Sequence, residues 1–264
     1  MIKAKKKYGQ NFLIDKGIIS QIVEAINPVN SDLILEIGPG LGALTFPILQ
    51  KIDRIDVIEI DADMIKELKK KIPPSNITIF ASNILEIENE IIKKYDKVIG
   101  NLPYYISSEI LLKMTCSLDH QKDLHFMLQK EVAERISSKT HSKSYGRLSV
   151  MLQYFFDIEL LFDIPPESFI PSPKVTSSLV RLIPKKNYPY KAINIANFEK
   201  IIKTAFSQKR KTIKNNIKNI INDDDFYSLK INPQDRAEML TLDDFIRIEN
   251  YITHKKILNE TVII

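Results

Sequence analysis

The chain has 264 residues, 44% hydrophobic and 27% charged, enough for one large domain, or a large one with a small partner, around a proper core. No apolar run approaches the about 18 residues of a membrane helix, and no apolar segment follows the lysine-rich start, so a cytoplasmic protein with no membrane partner is expected. The single Cys116 excludes an internal disulfide, and His120, His125, His141 and His254 stand in no ligand spacing beside it, so no metal site is expected.

From residue 17 to about 130, helical and strand-like segments alternate. "GIISQIVEAI" has helical spacing, "DLILEIG" reads as a buried strand, "LTFPILQK" as helix and "IDVIEID" as a second strand. "MIKELKKKI" is an amphipathic helix, "ITIFASN" a strand, "EIENEIIKKY" a helix, and "DKVIGN" and "LHFMLQ" are strands. Strands separated by helices predict an α/β domain with a parallel sheet covered on both faces. "KEVAERISS" resumes helix, and "LSVMLQYFFDIELLFDI" joins a helix to a strand. The segment from Pro165 to Lys186 holds five prolines, and its alternating run Val175 to Leu182 suits a last, antiparallel strand. Beyond Pro184, "NFEKIIKTAFSQKRKTIKNNIKNII", "DDDFYSLKI" and "TLDDFIRIENYITHKK" all read as helices. Two domains are expected, 1–184 and 188–264, the second small and all-helical, and with no heptad seam the chain is expected to be a monomer.

Net charge is +5, unevenly spread: residues 1–184 hold 23 basic against 23 acidic residues, and residues 185–264 hold 15 against 10. "QKRKTIKNNIK" (208–218) carries Lys209, Arg210, Lys211, Lys214 and Lys218 with no acid, and "KAKKK" (3–7) opens the chain. On charge alone, a solvated helix face and a polyanion-binding surface have equal weight.

After the first long strand comes Glu36-x-Gly38-x-Gly40-x-Gly42, a turn that lets a ligand approach the backbone at the start of a helix. Alone it equally describes a tight structural turn. Glu59 ends the second strand 17 residues past Gly42, where an acid can accept from both hydroxyls of a ribose. A dinucleotide site expects G-x-G-x-x-G; an acid before the turn fits a ligand with a positive centre and no phosphate, which describes S-adenosylmethionine. Asn83 ends the third strand, where it can meet an adenine edge or simply form a turn.

The fourth strand runs into Asn101-Leu102-Pro103-Tyr104 at the crevice where open parallel sheets bind ligands. Methylating an exocyclic aromatic amine needs its delocalised lone pair turned toward the methyl donor. The Asn101 amide oxygen and the Leu102 carbonyl can accept the two amine hydrogens, Pro103 fixes the backbone between them, and Tyr104 can stack on the base. No tuned general base is required, because the nitrogen becomes acidic as it is alkylated.

These residues carry a resemblance. "YGQNFLID" (8–15), "EIGPGLGALT" (36–45), "VIEID" (57–61), "GNLPYYIS" (100–107), "QKEVAERI" (129–136), "YGRLSVMLQ" (145–153), "FIPSPKV" (169–175), "FSQKRKTIKNN" (206–216) and "RAEMLTLDDF" (236–245) occur in order along nearly the whole chain. The sequence resembles the adenine N6-dimethyltransferases of small-subunit ribosomal RNA, whose loss gives kasugamycin resistance in bacteria.

The resemblance implies a Rossmann-like class I methyltransferase sheet and S-adenosylmethionine held by Asn11, Leu13, Gly38, Gly40, Glu59, Asn83 and Asn101. It also implies that Tyr104 and Phe169 hold the target adenine and that Lys209, Arg210, Lys211 and Lys214 contact ribosomal RNA. The substrate it implies is a pair of adjacent adenosines in the 3′-terminal hairpin loop, each methylated twice within an assembling 30S particle. Asn83 departs from the acid usual in the family; its carbonyl is expected still to accept from the adenine amino group. Related readings are a large-subunit RNA methyltransferase, a DNA adenine methyltransferase, for which the last 77 residues leave little room for a target-recognition domain, and a binder that checks subunit assembly.

Overall fold

The computed structural model describes residue 5, residues 8–186 and residues 191–261. The lysine cluster at 3–7, apart from Lys5, lies outside the described residues, as do 188–190 and 262–264 of the second expected domain.

Described residues within Met1–Glu134 and Phe156–Pro184 form one compact unit. Its strands are β1 (Phe12–Leu13), β2 (Ile34–Ile37), β3 (Ile55–Ile58), β4 (Ile77–Phe80), β5 (Lys97–Asn101), β6 (Asp123–Gln129), β7 (Phe156–Ile164), β8 (Phe169–Ile170) and β9 (Ser177–Pro184). Helices α1 (Lys16–Ile26), α2 (Thr45–Leu49), α3 (Ala62–Lys71), α4 (Asn89–Ile92) and α5 (Ser107–Thr115) lie between the strands, and α6 (Lys130–Ile136) follows β6. Seven strands make one sheet in the order β4-β3-β2-β5-β6-β9-β7. Strands β2 to β6 run parallel, and β9 runs antiparallel to both β6 and β7. The mostly parallel sheet with an antiparallel last strand is therefore as the sequence predicts. All four residues of β2 are buried, as strands covered on both faces must be.

One face carries Ile22, Val23 and Ile26 of α1 against Ile34, Ile99, Met127 and Leu179 of the sheet. At the far end of the central strands a buried ion cluster replaces apolar packing. Asp123 Oδ1 accepts from Lys97 Nζ at 3.0 Å, and its Oδ2 accepts from Arg181 Nη2 at 2.7 Å. His125 stands beside it, fully buried, with neither ring nitrogen in a well-formed hydrogen bond.

Two local expectations change. "EIENEIIKKY" (86–95) yields only the single turn of α4, because Glu86 ends a 3-10 turn (Ile84–Glu86) capped by the Asn83 side chain and Ile87 and Glu88 are extended. Helix α5, for which the sequence pattern gave no expectation, supplies the crossover from β5 to β6 that a parallel pair requires.

The second compact unit holds described residues of Arg135–Phe155 and Lys185–Ile264. Its further helices are α7 (Arg147–Phe155), α8 (Ile195–Ala205), α9 (Ile213–Ile217), α10 (Asp223–Ser228) and α11 (Leu242–Thr261). The expectation of an unbroken first domain to 184 differs at this point. Helix α7 buries Val150, Met151, Leu152 and Tyr154, and Tyr154 packs its ring 4.7 Å from that of Phe198 in α8. Helix α8 buries Phe198, Ile201, Ile202 and Ala205, an apolar stripe at helical spacing. Fully buried Glu249 of α11 accepts from the backbone N–H groups of Ile193 and Asn194 just before α8. The single helix expected over 197–221 breaks at Phe206, and Thr212 caps α9 anew. The Asn216 side chain closes the turn by donating to the carbonyls of Ala205 and Gln208.

Candidate active site

Strand order reverses at β2 and β5, which places a crevice beyond their carboxyl ends. A cavity of about 590 Å³ opens there within the first unit, lined by residues from the ends of β2, β3, β4 and β5 and from the segment Tyr8–Ile14. Each strand delivers one part of the wall.

Behind β2, Gly38 takes φ +67, and a Cβ built on it meets no atom within 4 Å, so a side chain there would project into open space. Glu36 is buried on the cavity wall and accepts from Thr45 Oγ1 at 2.6 Å. Burial pushes its carboxyl up to about 7, with the Thr45 hydroxyl opposing and the nearby Glu59 adding to the rise. Glu59 follows β3; its Oε2 accepts from Gly40 N–H at 3.2 Å and its Oε1 from the Ile60 and Asp61 N–H groups at 2.9 and 2.8 Å. Burial raises this carboxyl as well, against those three backbone donors. Lys16, which is exposed, is the one lysine or arginine on the described wall.

Asn83 lies on the wall after β4, but its Oδ1 accepts from Leu85 N–H at 3.1 Å. One lone pair of this oxygen thus caps a turn and the other is free to accept, while the Nδ2 donor takes no partner among the described residues.

The segment "YGQNFLID" is fastened at both ends. Lys5 Nζ and Gln10 Nε2 donate to the Asp61 carboxylate at 2.6 and 2.9 Å, and Phe12 and Leu13 pair antiparallel with Ile170 and Phe169. Asn11, between these ties, and Leu13, within the second, line the cavity.

Asn101 ends β5 and its Nδ2 donates to Asn11 O at 2.9 Å, which orients the amide and leaves Oδ1 as its open acceptor. Leu102 donates its N–H to Met127 O at 3.3 Å, while its carbonyl takes no donor among the described residues. Pro103 leads into a 3-10 turn at Tyr104–Ile106, and Tyr104 hydrogen-bonds through its hydroxyl to Ser177 Oγ at 2.6 Å. Burial raises the Tyr104 phenol, which therefore stays neutral. Asn101, Leu102, Pro103 and Tyr104 share the cavity with Asn11, Leu13, Gly38, Gly40, Glu59 and Asn83.

Comparison with known proteins decides the family. Residues 1–254 match the family model described as ribosomal RNA adenine dimethylase. The chain belongs to this family. Within it, the chain is 47% identical over 255 residues to ribosomal RNA small subunit methyltransferase A of Neisseria meningitidis serogroup C, covering 97% of this chain and 98% of that one. The crystal structure of a dimethyladenosine transferase from Plasmodium falciparum superposes with a TM-score of 0.80 at 26% identity, over 93% of this chain and 98% of that one. The 23S rRNA methyltransferase ErmE shares the fold, with a TM-score of 0.66 at 21% identity over 92% of this chain and all of that one.

One expectation for this family member is corrected by the structure. Phe169 does not line the cavity: it is 1% exposed, pairs with Leu13 across the β1–β8 ribbon and packs into the core with Met127, Ile164 and Leu179. Its influence on the site runs through Leu13. Lys209, Arg210 and Lys211 stand exposed in the turn between α8 and α9 of the second unit, and the half-exposed Lys214 forms a surface ion pair with Asp223 at 2.6 Å. The sequence reading also passed over Tyr105 on the cavity wall, although a second tyrosine at a strand end beside the first was a visible signal.

Proposed function

We propose that the chain dimethylates N6 of two adjacent adenosines in the 3′-terminal hairpin loop of small-subunit ribosomal RNA, with S-adenosylmethionine as methyl donor. It acts as a cytoplasmic monomer on an assembling 30S particle. The observation that carries this reading is the Asn101–Tyr104 turn, which offers two open acceptors, Asn101 Oδ1 and Leu102 O, beside the wall that carries Glu36 and Glu59. Identity of 47% to a small subunit methyltransferase supports the choice of RNA.

The wall suits the donor. Buried Glu36 and Glu59 fit a ligand with a positive centre and no phosphate, and the open cradle at Gly38 lets it lie against backbone. When bound, S-adenosylmethionine supplies a methyl group on a sulfonium, an electrophile that departs as a neutral thioether. Glu59, Gly38, Gly40, Asn11, Leu13 and Asn101 hold it, and Asn83 donates through Nδ2 to a ring nitrogen of its adenine. Asn101 Oδ1 and Leu102 O accept the two N6 hydrogens of the target and turn its lone pair toward the methyl group. Pro103 fixes the carbonyl between them, and Tyr104 presents its ring to the base. The proton leaves the alkylated nitrogen for water, so positioning and fixed dipoles supply the catalysis. In the helical domain, Lys209, Arg210 and Lys211 contact phosphates, which adds affinity without base choice.

The test is transfer of radiolabelled methyl from S-adenosylmethionine to small subunits of a strain lacking this modification, with large subunits and naked RNA alongside. N6,N6-dimethyladenosine confined to the small subunit is expected, and the strain should tolerate kasugamycin. Label on the large subunit, with none on the small, would overturn the proposal.

A further inference from the structure

We infer that Tyr105 is the platform on which the base next to the target adenosine stacks, an inference that rests on the RNA reading proposed above. Of the aromatic residues on the cavity wall, Tyr105 is the exposed one, at 61%. Its neighbour Tyr104 is turned in and tied to Ser177, whereas successive residues of a 3-10 turn point about 120° apart, so Tyr105 stands exposed at the edge of the cavity while Tyr104 is held within it. The exposed ring is nevertheless held. A Cβ at Gly9 would lie 3.1 Å from Tyr105 Cδ1 and 3.3 Å from its Cε1, so the N-terminal segment runs bare backbone against one part of the ring and leaves the rest open. Ile14 and Ile60, both 48% exposed, also line the cavity, so the exposed Tyr105 ring stands among apolar side chains.

Consecutive rings suit consecutive bases. Once one adenosine is drawn to Asn101 and Tyr104, its neighbour on the strand has lost a stacking partner, and an exposed tyrosine one residue further along the turn supplies a new one. Such stacking accepts any base, because every base has a π face. Tyr105 therefore selects for unpaired RNA beside the target and positions the strand, and base choice stays with Asn101 and Leu102.

Three substitutions test this. Tyr105→Leu keeps an apolar cover over Gly9 and removes the ring, whereas Tyr105→Phe and Tyr105→Trp keep a π face. With unmodified small subunits as substrate, Tyr105→Leu is expected to raise KM for the subunit about tenfold, with S-adenosylmethionine affinity and thermal midpoint as in the parent, and Tyr105→Phe to retain the parent KM. The chain has no tryptophan, so Tyr105→Trp places a sole emitter at the site. Its fluorescence should be quenched by an RNA hairpin with two adjacent loop adenosines and left unchanged by the same sequence annealed into duplex. A parent enzyme that methylates small subunits while Tyr105→Leu keeps its KM, or an unquenched Tyr105→Trp, would overturn this inference alone. A parent that labels no small-subunit RNA would overturn the proposed function and this inference with it.

Discussion

Raising the pH from 6 to 8 is expected to tighten S-adenosylmethionine binding about tenfold through a single carboxyl group. Glu36 is buried on the cavity wall, and its burial lifts it to about 7. At pH 6 about one molecule in eleven carries the ionised form, and at pH 8 about ten in eleven. A cationic ligand favours the ionised form. Apparent affinity then scales with that fraction, and the ratio of fractions is about tenfold, or about 1.4 kcal/mol. The sign follows: binding lowers the carboxyl's pKa, a proton is released, and affinity rises with pH until Glu36 is fully ionised. Glu36→Gln keeps an oxygen for Thr45 and removes the titration. The ligand's own amino group, which titrates near 8, affects both proteins equally and cancels in their comparison. Isothermal calorimetry across this range, in buffers of different ionisation enthalpy, measures affinity and proton release together. Parallel pH profiles for parent and Glu36→Gln, or binding without proton release, would refute the argument.

Asn101→Ala should lower the single-turnover methyl-transfer rate by the order of 100-fold, as loss of one aimed polar group does elsewhere, with both substrates saturating. Replacing Lys209, Arg210 and Lys211 together by alanine should reduce the slope of log affinity against log salt by about 2 in filter binding to small-subunit RNA, whereas Lys214→Ala, already paired with Asp223, should leave it nearly unchanged. Burial depresses His125 from 6.5 to about 4, so the unfolded chain takes up a proton that the folded one refuses, and stability falls as pH drops from 6.5 toward 4. Between pH 7 and pH 5 the loss is about 2 kcal/mol. Glu36 titrates in the opposite sense over part of that range, so the quantity to read is the difference in urea stability between parent and His125→Phe at each pH.

The sheet and its cavity-lining ends were legible because their signals are local. Short apolar runs mark β2 to β6, and the residues that follow them, Gly38, Glu59, Asn83 and Asn101, are types that stop a strand and leave polar atoms at its end. Strand order then brings those ends together by topology alone. What the chain hid depends on partners distant in sequence. Helix α7 has an ordinary amphipathic pattern, and only the rings of Phe198 and Tyr154 meeting reveal which unit it joins. Phe169, in a proline-rich stretch, reads as an available ring until its register against Leu13 buries it. Lys214 looks like its neighbours at 209–211 until the fold sets Asp223 against it. Asn83 lies on the cavity wall, and the Leu85 N–H that engages its Oδ1 is a turn contact the strand pattern does not announce.

In the proposed reaction, the placement of charge admits a base, and no more of the RNA than a base, to this cavity. Its described wall carries two buried carboxylates and the single exposed cation of Lys16. A phosphate drawn between Glu36 and Glu59 would meet like charge in a medium where screening by water is weak, and its desolvation would be uncompensated. Adenine is neutral and asks of the wall only acceptors and a ring face, which Asn101, Leu102 and Tyr104 provide. On the proposed reading the target therefore leaves its strand to react, with its phosphates kept outside, and that extrusion is least costly where the base is already unpaired in a loop. Positive charge for the backbone cannot be built into the cavity without losing the acids that favour a cationic methyl donor. In the proposed reading, that role falls to the exposed Lys209, Arg210 and Lys211 of the second unit, which has its own core.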